Sequence, residues 1–90
     1  MSIREELSDQ VLTLINELGL NTSPSAGCTG ISADKKYRSV SLGWARWLDG
    51  EVRIYGPKYF LYRDSRNRQE VLRSFDELKA YLQKISNHSI

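Results

Sequence analysis

The chain has a single cysteine, Cys28, a single histidine, His88, only two prolines, and no apolar run near the roughly 18 residues that span a bilayer. One cysteine cannot make an internal disulfide or a cysteine-based metal cage. One histidine near the end of the chain is poorly placed to act as a general base, which must be held within hydrogen-bond reach of its proton. No carboxylate dyad stands out. Asp9, Asp34 and the pair Asp76-Glu77 have local explanations as helix surface, loop and helix cap. The expectation is therefore not an enzyme, with no cofactor and no metal. No targeting segment is legible at the start, where acidic residues follow Arg4 at once, so a cytoplasmic location is expected and no membrane partner.

What is present is the composition of a small globular unit. Of its 90 residues 40% are hydrophobic and 27% charged, which is too apolar for a disordered chain. At this length one hydrophobic layer must supply most of the stability. The net charge of +2 conceals an imbalance. Residues 1–34 carry one basic side chain, Arg4, against five acidic ones; residues 35–90 carry twelve basic against six acidic. A basic half hints at a polyanionic partner.

Ser2 and Glu5 form a capping box, and Ile3, Leu7, Val11, Leu14, Ile15 and Leu18 recur at helical spacing. They predict a helix over about 3–18, with Gly19 as the left-handed residue after it and Leu20 folding back. Its other face, with Glu5, Glu6, Asp9 and Glu17, reads as solvated surface. Residues 21–34 are rich in Ser, Thr, Gly and Ala and read as a flexible connector.

A sheet is expected over about 37–73. In its first strand Val40, Leu42 and Trp44 share the parity that suits a core, opposite Ser39, Ser41, Gly43, Ala45 and Trp47. A three-residue loop of Leu48, Asp49 and Gly50 would then set Trp47 opposite Glu51 and bury Val52 and Ile54. A two-residue Asp49-Gly50 turn fails this parity unless a bulge near Gly43 resets it. Tyr55-Gly56-Pro57-Lys58 reads as the next turn. With Ile54 opposite Tyr59, it buries Tyr59 and Leu61. A polar turn at 64–68 leads to a short strand at 69–73 carrying Leu72. Ser74 and Glu77 make a second capping box, and Phe75, Leu78, Tyr81, Leu82 and Ile85 predict a closing helix over about 75–86. The fold expected is α+β: an N-terminal helix, a three- or four-stranded antiparallel β-meander and a C-terminal helix.

In that register the far face of the sheet carries Trp47, Arg53, Tyr55, Phe60, Tyr62, Val71 and Arg73, with Lys58, Arg63, Arg66 and Arg68 in or next to the turns. From Arg53 to Arg73 there are six basic residues against two acidic ones. Aromatics interleaved with arginine on a sheet stack bases and neutralise phosphates, so DNA or RNA binding is one expectation. The other is a protein-interaction or self-association module using the same face, because Trp, Tyr and Arg are also enriched in protein interfaces. A third arrangement, with one helix on each face, would make these aromatics a second core.

Three segments resemble the methyl-CpG-binding-type domain: Gly43-Trp44-x-Arg46, then Gly56-x-Lys58-Tyr59-Phe60-x-Tyr62, then Leu72-Arg73-Ser74-x-x-Glu77-Leu78-x-x-Tyr81-Leu82. Together they cover about residues 43–82. The resemblance implies a small antiparallel sheet packed on one helix, with the sheet and its loops entering the DNA major groove. The chain departs from that family in having Asp64-Ser65-Arg66-Asn67-Arg68 in place of a Pro-x-Gly-Lys turn, and in its first helix. The helix–sheet–helix order is also similar to double-stranded-RNA-binding domains, although Asp76 and Glu77 stand where those have lysines.

Overall fold

The computed structural model describes residues 3–21, 27–45 and 48–88; the side chains of Trp44, Ala45, Leu48, Asp49 and His88 also lie outside what it describes. In chain order the elements are α1 (Ile3–Glu17), β1 (Thr29–Ile31), β2 (Arg38–Ala45), β3 (Leu48–Gly56), β4 (Tyr59–Asp64), β5 (Gln69–Leu72) and α2 (Phe75–His88). The five strands form one antiparallel sheet in sequence order, so each strand pairs with its neighbours along the chain. This is the expected α+β layout with one strand more.

Both helices lie on the same side of that sheet. Leu7, Val11, Leu14 and Ile15 of α1 and Leu78, Leu82 and Ile85 of α2 join Val40, Leu42, Val52, Ile54, Phe60, Tyr62 and Leu72 in one buried cluster. Among the described residues no helix covers the other face of the sheet, so the two helices do not take one side each.

The helix ends follow their sequence signals. Gly19 has φ 72°, its N–H donates to Asn16 O at 3.2 Å, and Leu20 N–H donates to Ile15 O at 3.0 Å. This pair of bonds satisfies the last carbonyls of α1 and turns Leu20 into the core, where it is fully buried. At α2 the Ser74 hydroxyl accepts from Glu77 N–H at 3.1 Å, and the Glu77 carboxylate accepts from Arg73 N–H at 2.6 Å. The α1 cap expected at Ser2 lies outside the described residues. Arg4 fastens the first turn of α1 to the sheet by donating to Tyr55 O at 3.1 Å and Lys35 O at 2.8 Å. The Arg38–Glu5 pair, 3.2 Å apart, ties the same turn to β2.

Four expectations are corrected. Part of the segment read as a flexible connector is built into the sheet: β1 pairs with β2 from Thr29↔Val40 to Ile31↔Arg38, and Cys28 O accepts from Ser41 N–H at 2.8 Å. Pairing with the edge of β2 satisfies backbone N–H and C=O groups of this segment, a constraint that its side-chain composition does not reveal. The β2–β3 pairing is displaced by six residues from the expected one. Val40 faces Val52 and Leu42 faces Gly50, with a shift between Gly43 and Ala45, so Asp49 and Gly50 belong to β3 rather than to a turn. The expected parity survives because six is even.

The third correction concerns β4. A register shift between Ile54 and Gly56 makes Tyr55 and Gly56 together oppose Tyr59, and Ile54 faces Phe60 instead of Tyr59. One extra residue on β3 inverts the parity of the whole following strand. Phe60 and Tyr62 are therefore in the core, each 0% exposed, while Tyr59 and Leu61 take the face without helices. Fourth, α2 extends to His88, so the histidine ends a helix instead of lying in a tail.

Candidate functional site

The face without helices carries a row of aromatic rings at one end. Tyr37 precedes β2, Tyr55 sits at the bulge of β3 and Tyr59 opens β4. Ring centroids are 5.1 Å apart for Tyr37 and Tyr55 and 4.9 Å for Tyr55 and Tyr59, the latter pair edge to face. Adjacent strands in a sheet are about 4.8 Å apart, so a tyrosine just before β2 and one each on β3 and β4 come close enough to meet as a continuous row.

Each end of the row has a guanidinium over a ring. Arg53 stands 4.8 Å from the centroid of Tyr37 and Arg73 stands 5.4 Å from that of Tyr59. These distances lie within the range of cation–π attraction, which orients the arginines along the face. Arg53 is fixed further by its 2.7 Å bond to Glu51 Oε1, and this bond holds its pKa above the ordinary guanidinium value. Arg73 is exposed, as is Lys58 in the β3–β4 turn. Next to the row, Leu61 pairs with Val71 across β4 and β5, and Val71 is 39% exposed.

Of the residues expected to bind, Arg53, Tyr55, Lys58 and Arg73 are thus brought together. Arg63 is on the same face one pair further along β4, opposite Glu51. Phe60 and Tyr62 are on the opposite face, buried under the helices, and are withdrawn from the site. Phe60 packs edge to face on Phe75, and Tyr62 packs on Tyr81. Trp47 lies outside the described residues. Arg66 and Arg68 are in the β4–β5 turn at the other end of β4, roughly 17 Å from the tyrosine row at about 3.4 Å per residue.

That distant turn has its own organiser. Asp64 Oδ1 accepts from the N–H groups of Arg66 at 2.9 Å and Arg68 at 3.2 Å, and Oδ2 accepts from the Tyr62 hydroxyl at 2.7 Å. Asn67 takes the left-handed conformation at φ 64°, which asparagine tolerates better than most residues. Burial, and then the bond to Asp64, raise the Tyr62 pKa far above the ordinary phenol value.

Two members of the row, Tyr37 and Tyr59, escaped the sequence reading. Tyr37 shares the odd numbering of Ser39 and Ser41 and so was legible as an outward residue. Tyr59 was not, because its face depends on the bulge. Among the described residues no group of three or more His, Cys, Asp or Glu is placed to hold a metal ion. Among the same residues no helix is long and apolar enough to cross a membrane.

Comparison with protein families, characterised proteins and solved structures finds no match to the chain.

Proposed function

We propose that the protein is a non-enzymatic nucleic-acid-binding module that takes an unpaired strand on the open face of its sheet. The observation that carries this reading is the Tyr37–Tyr55–Tyr59 row with Arg53 and Arg73 over its two ends. Aromatic rings on a flat sheet offer bases a stacking surface, and neighbouring cations offer the backbone its counter-charge. Bases in a duplex are already stacked and paired, so single strands are favoured over the double-stranded partner that the methyl-CpG-type resemblance implies. Lys58 and Arg63 extend the phosphate path, and Arg66 and Arg68 serve a longer strand that reaches the far turn. The acids of α1 are on the helix side, so the footprint is one-sided.

A second reading has its own observation. Tyr59 at 38% and Val71 at 39% exposure, beside Leu61, form an apolar strip of the kind that pairs with a second copy. Mass measured across a hundredfold range of concentration separates the two: a dimer that persists on dilution and occludes Tyr59 and Val71 would favour self-association.

The direct test is an NMR titration with short single- and double-stranded oligonucleotides at low salt. Shifts are expected for the amides around Tyr37, Arg53, Tyr55, Lys58, Tyr59 and Arg73, larger for the single strands. The Arg73→Gln protein should show a logarithmic salt slope smaller by about 0.7. Absence of any salt-dependent shift refutes the reading.

A further inference from the structure

Beside the tyrosine row the β3–β4 turn forms a shallow depression of about 370 Å³, wide open to solvent and lined by Tyr55, Gly56, Pro57, Lys58 and Tyr59. It lies at the bulge. Tyr55 and Gly56 both oppose Tyr59, and the second of the two has no side chain. A Cβ added at Gly56 would meet no atom within 4 Å, and its φ lies outside the left-handed region that favours glycine. The backbone there does not demand glycine. What glycine contributes is the open space.

The chemistry of the lining limits what fits. Its surface is almost wholly carbon, formed by two tyrosine rings set edge to face at 76° and by the turn around Pro57. Cations occupy the margin: Lys58 is part of the lining, and the Arg73 guanidinium lies 5.4 Å from the Tyr59 ring centre. A flat apolar ring that carries an anion a few ångströms away matches this arrangement. A nucleotide of an unpaired strand has both parts.

We propose that this depression is the subsite for one nucleobase of a single strand, gripped through its π face, and that it accepts all bases. The proposal rests on the nucleic-acid reading above and adds a place and a specificity to it. Base identity is read by hydrogen bonds to base edges, and a carbon-lined recess has almost no groups with which to make them. Every base has a π face, so stacking tolerates sequence. The phosphate joined to the held base lies against Lys58 and Arg73.

The test uses fluorescence anisotropy with 5′-labelled 12-mers of dT, dA and dC, and a 12-mer of abasic sites that keeps the phosphates and loses the bases. For the native protein the three homopolymers should bind within about fivefold of one another, and the abasic strand about tenfold or more weaker, the scale of one lost stack. Gly56→Leu puts a bulky side chain into the open space at this lining position without removing a charge or a ring. It should weaken the homopolymers about tenfold, leave the abasic strand unchanged and leave the salt slope unchanged, because no phosphate contact is lost. Tyr59→Leu, at a partly exposed position, should act in the same direction and serves if the first variant does not fold by circular dichroism.

Homopolymer binding by Gly56→Leu equal to that of the native protein would overturn the subsite while nucleic-acid binding stood. A hundredfold preference for one homopolymer would overturn the tolerance. Failure of the native protein to bind any strand would instead remove the underlying reading. A decaproline peptide that shifts the amides at 55–59 where no oligonucleotide does would assign the recess to a proline-rich partner and overturn the proposal.

Discussion

Replacing Phe60 by alanine tests the register on which the site depends. The ring is 0% exposed and meets Phe75 edge to face, with centroids 6.4 Å apart. An aromatic side chain of this kind buries about 150–250 Å², which at about 25 cal/mol per Å² corresponds to ~4–6 kcal/mol as an upper bound. Phenylalanine truncations in cores cost about 3–5 kcal/mol. A domain of this size has only about 5–13 kcal/mol in all, so the loss is a large share. Leu61 is the next residue, yet it is only half-buried and faces away from the helices. Its truncation should cost about 1 kcal/mol, near the value of a single buried methylene. Urea denaturation followed by far-ultraviolet circular dichroism reads both. With a slope of about 2 kcal/mol per molar, Phe60→Ala lowers the midpoint by about 2 M and Leu61→Ala by about 0.5 M. Equal shifts, or a larger one for Leu61, would refute the bulge at Tyr55 and with it the placement of Tyr59 on the open face.

Gly50 is needed for close approach: a Cβ there would stand 2.7 Å from the Arg63 carbonyl oxygen and 3.3 Å from Asp64 Cβ. Gly50→Ala should therefore cost about 1–3 kcal/mol in chemical denaturation, and Gly50→Asn at least as much; a turn glycine in the left-handed region would instead tolerate asparagine better than alanine. Burial raises the phenol pKa of Tyr62 and of Tyr81, and the bond to Asp64 raises that of Tyr62 further. A folded-state pKa above the unfolded value of about 10 gives stability that is complete below pH 10 and declines as pH rises beyond it, by up to about 1.4 kcal/mol per pH unit for each phenol. Denaturation midpoints taken from pH 8 to pH 11 should show that decline, and Tyr62→Phe should flatten it; a flat native profile would refute the assignment.

The two helices and the parity of β2 and β3 were legible because they rest on local signals. The spacing of Leu7, Val11, Leu14 and Ile15, the glycine at 19 and the Ser74–Glu77 box each act within a few residues. The parity of β4 was not legible. Tyr59, Phe60, Leu61 and Tyr62 are all bulky and largely apolar, so neither face is marked, and the choice passes to the single inserted residue at the Tyr55–Gly56 bulge. The hairpin between β2 and β3 was misplaced for a related reason. Asp49-Gly50 has the composition of a turn, and only the backbone of β4 beside Gly50 shows why a glycine is needed within a strand. β1 carries no apolar pattern, and its place comes from the free hydrogen-bonding edge of β2. Of the residues around the tyrosine row, Arg53, Tyr55, Lys58 and Arg73 were placed on this face by the sequence pattern or its turns; the bulge put Tyr59 there and turned Phe60 and Tyr62 to the helices.

Because the sheet order repeats the chain order from β1 to β5, the sheet closes only short loops as it forms. Each hairpin can nucleate by itself on the scale of about 1–10 μs, and a neighbour can then add to an existing edge without a long crossover. The contacts most distant in sequence are those that join the two ends of the chain, such as the Ser86 hydroxyl donating to Leu18 O at 2.9 Å. Of the bonds named, the one between Ser86 of α2 and Leu18, just after α1, closes the longest loop and carries the largest closure entropy, so it is expected to form after the sheet. Substitution of Ser86 by alanine should accelerate unfolding and leave the folding rate nearly unchanged, as measured by stopped-flow denaturation.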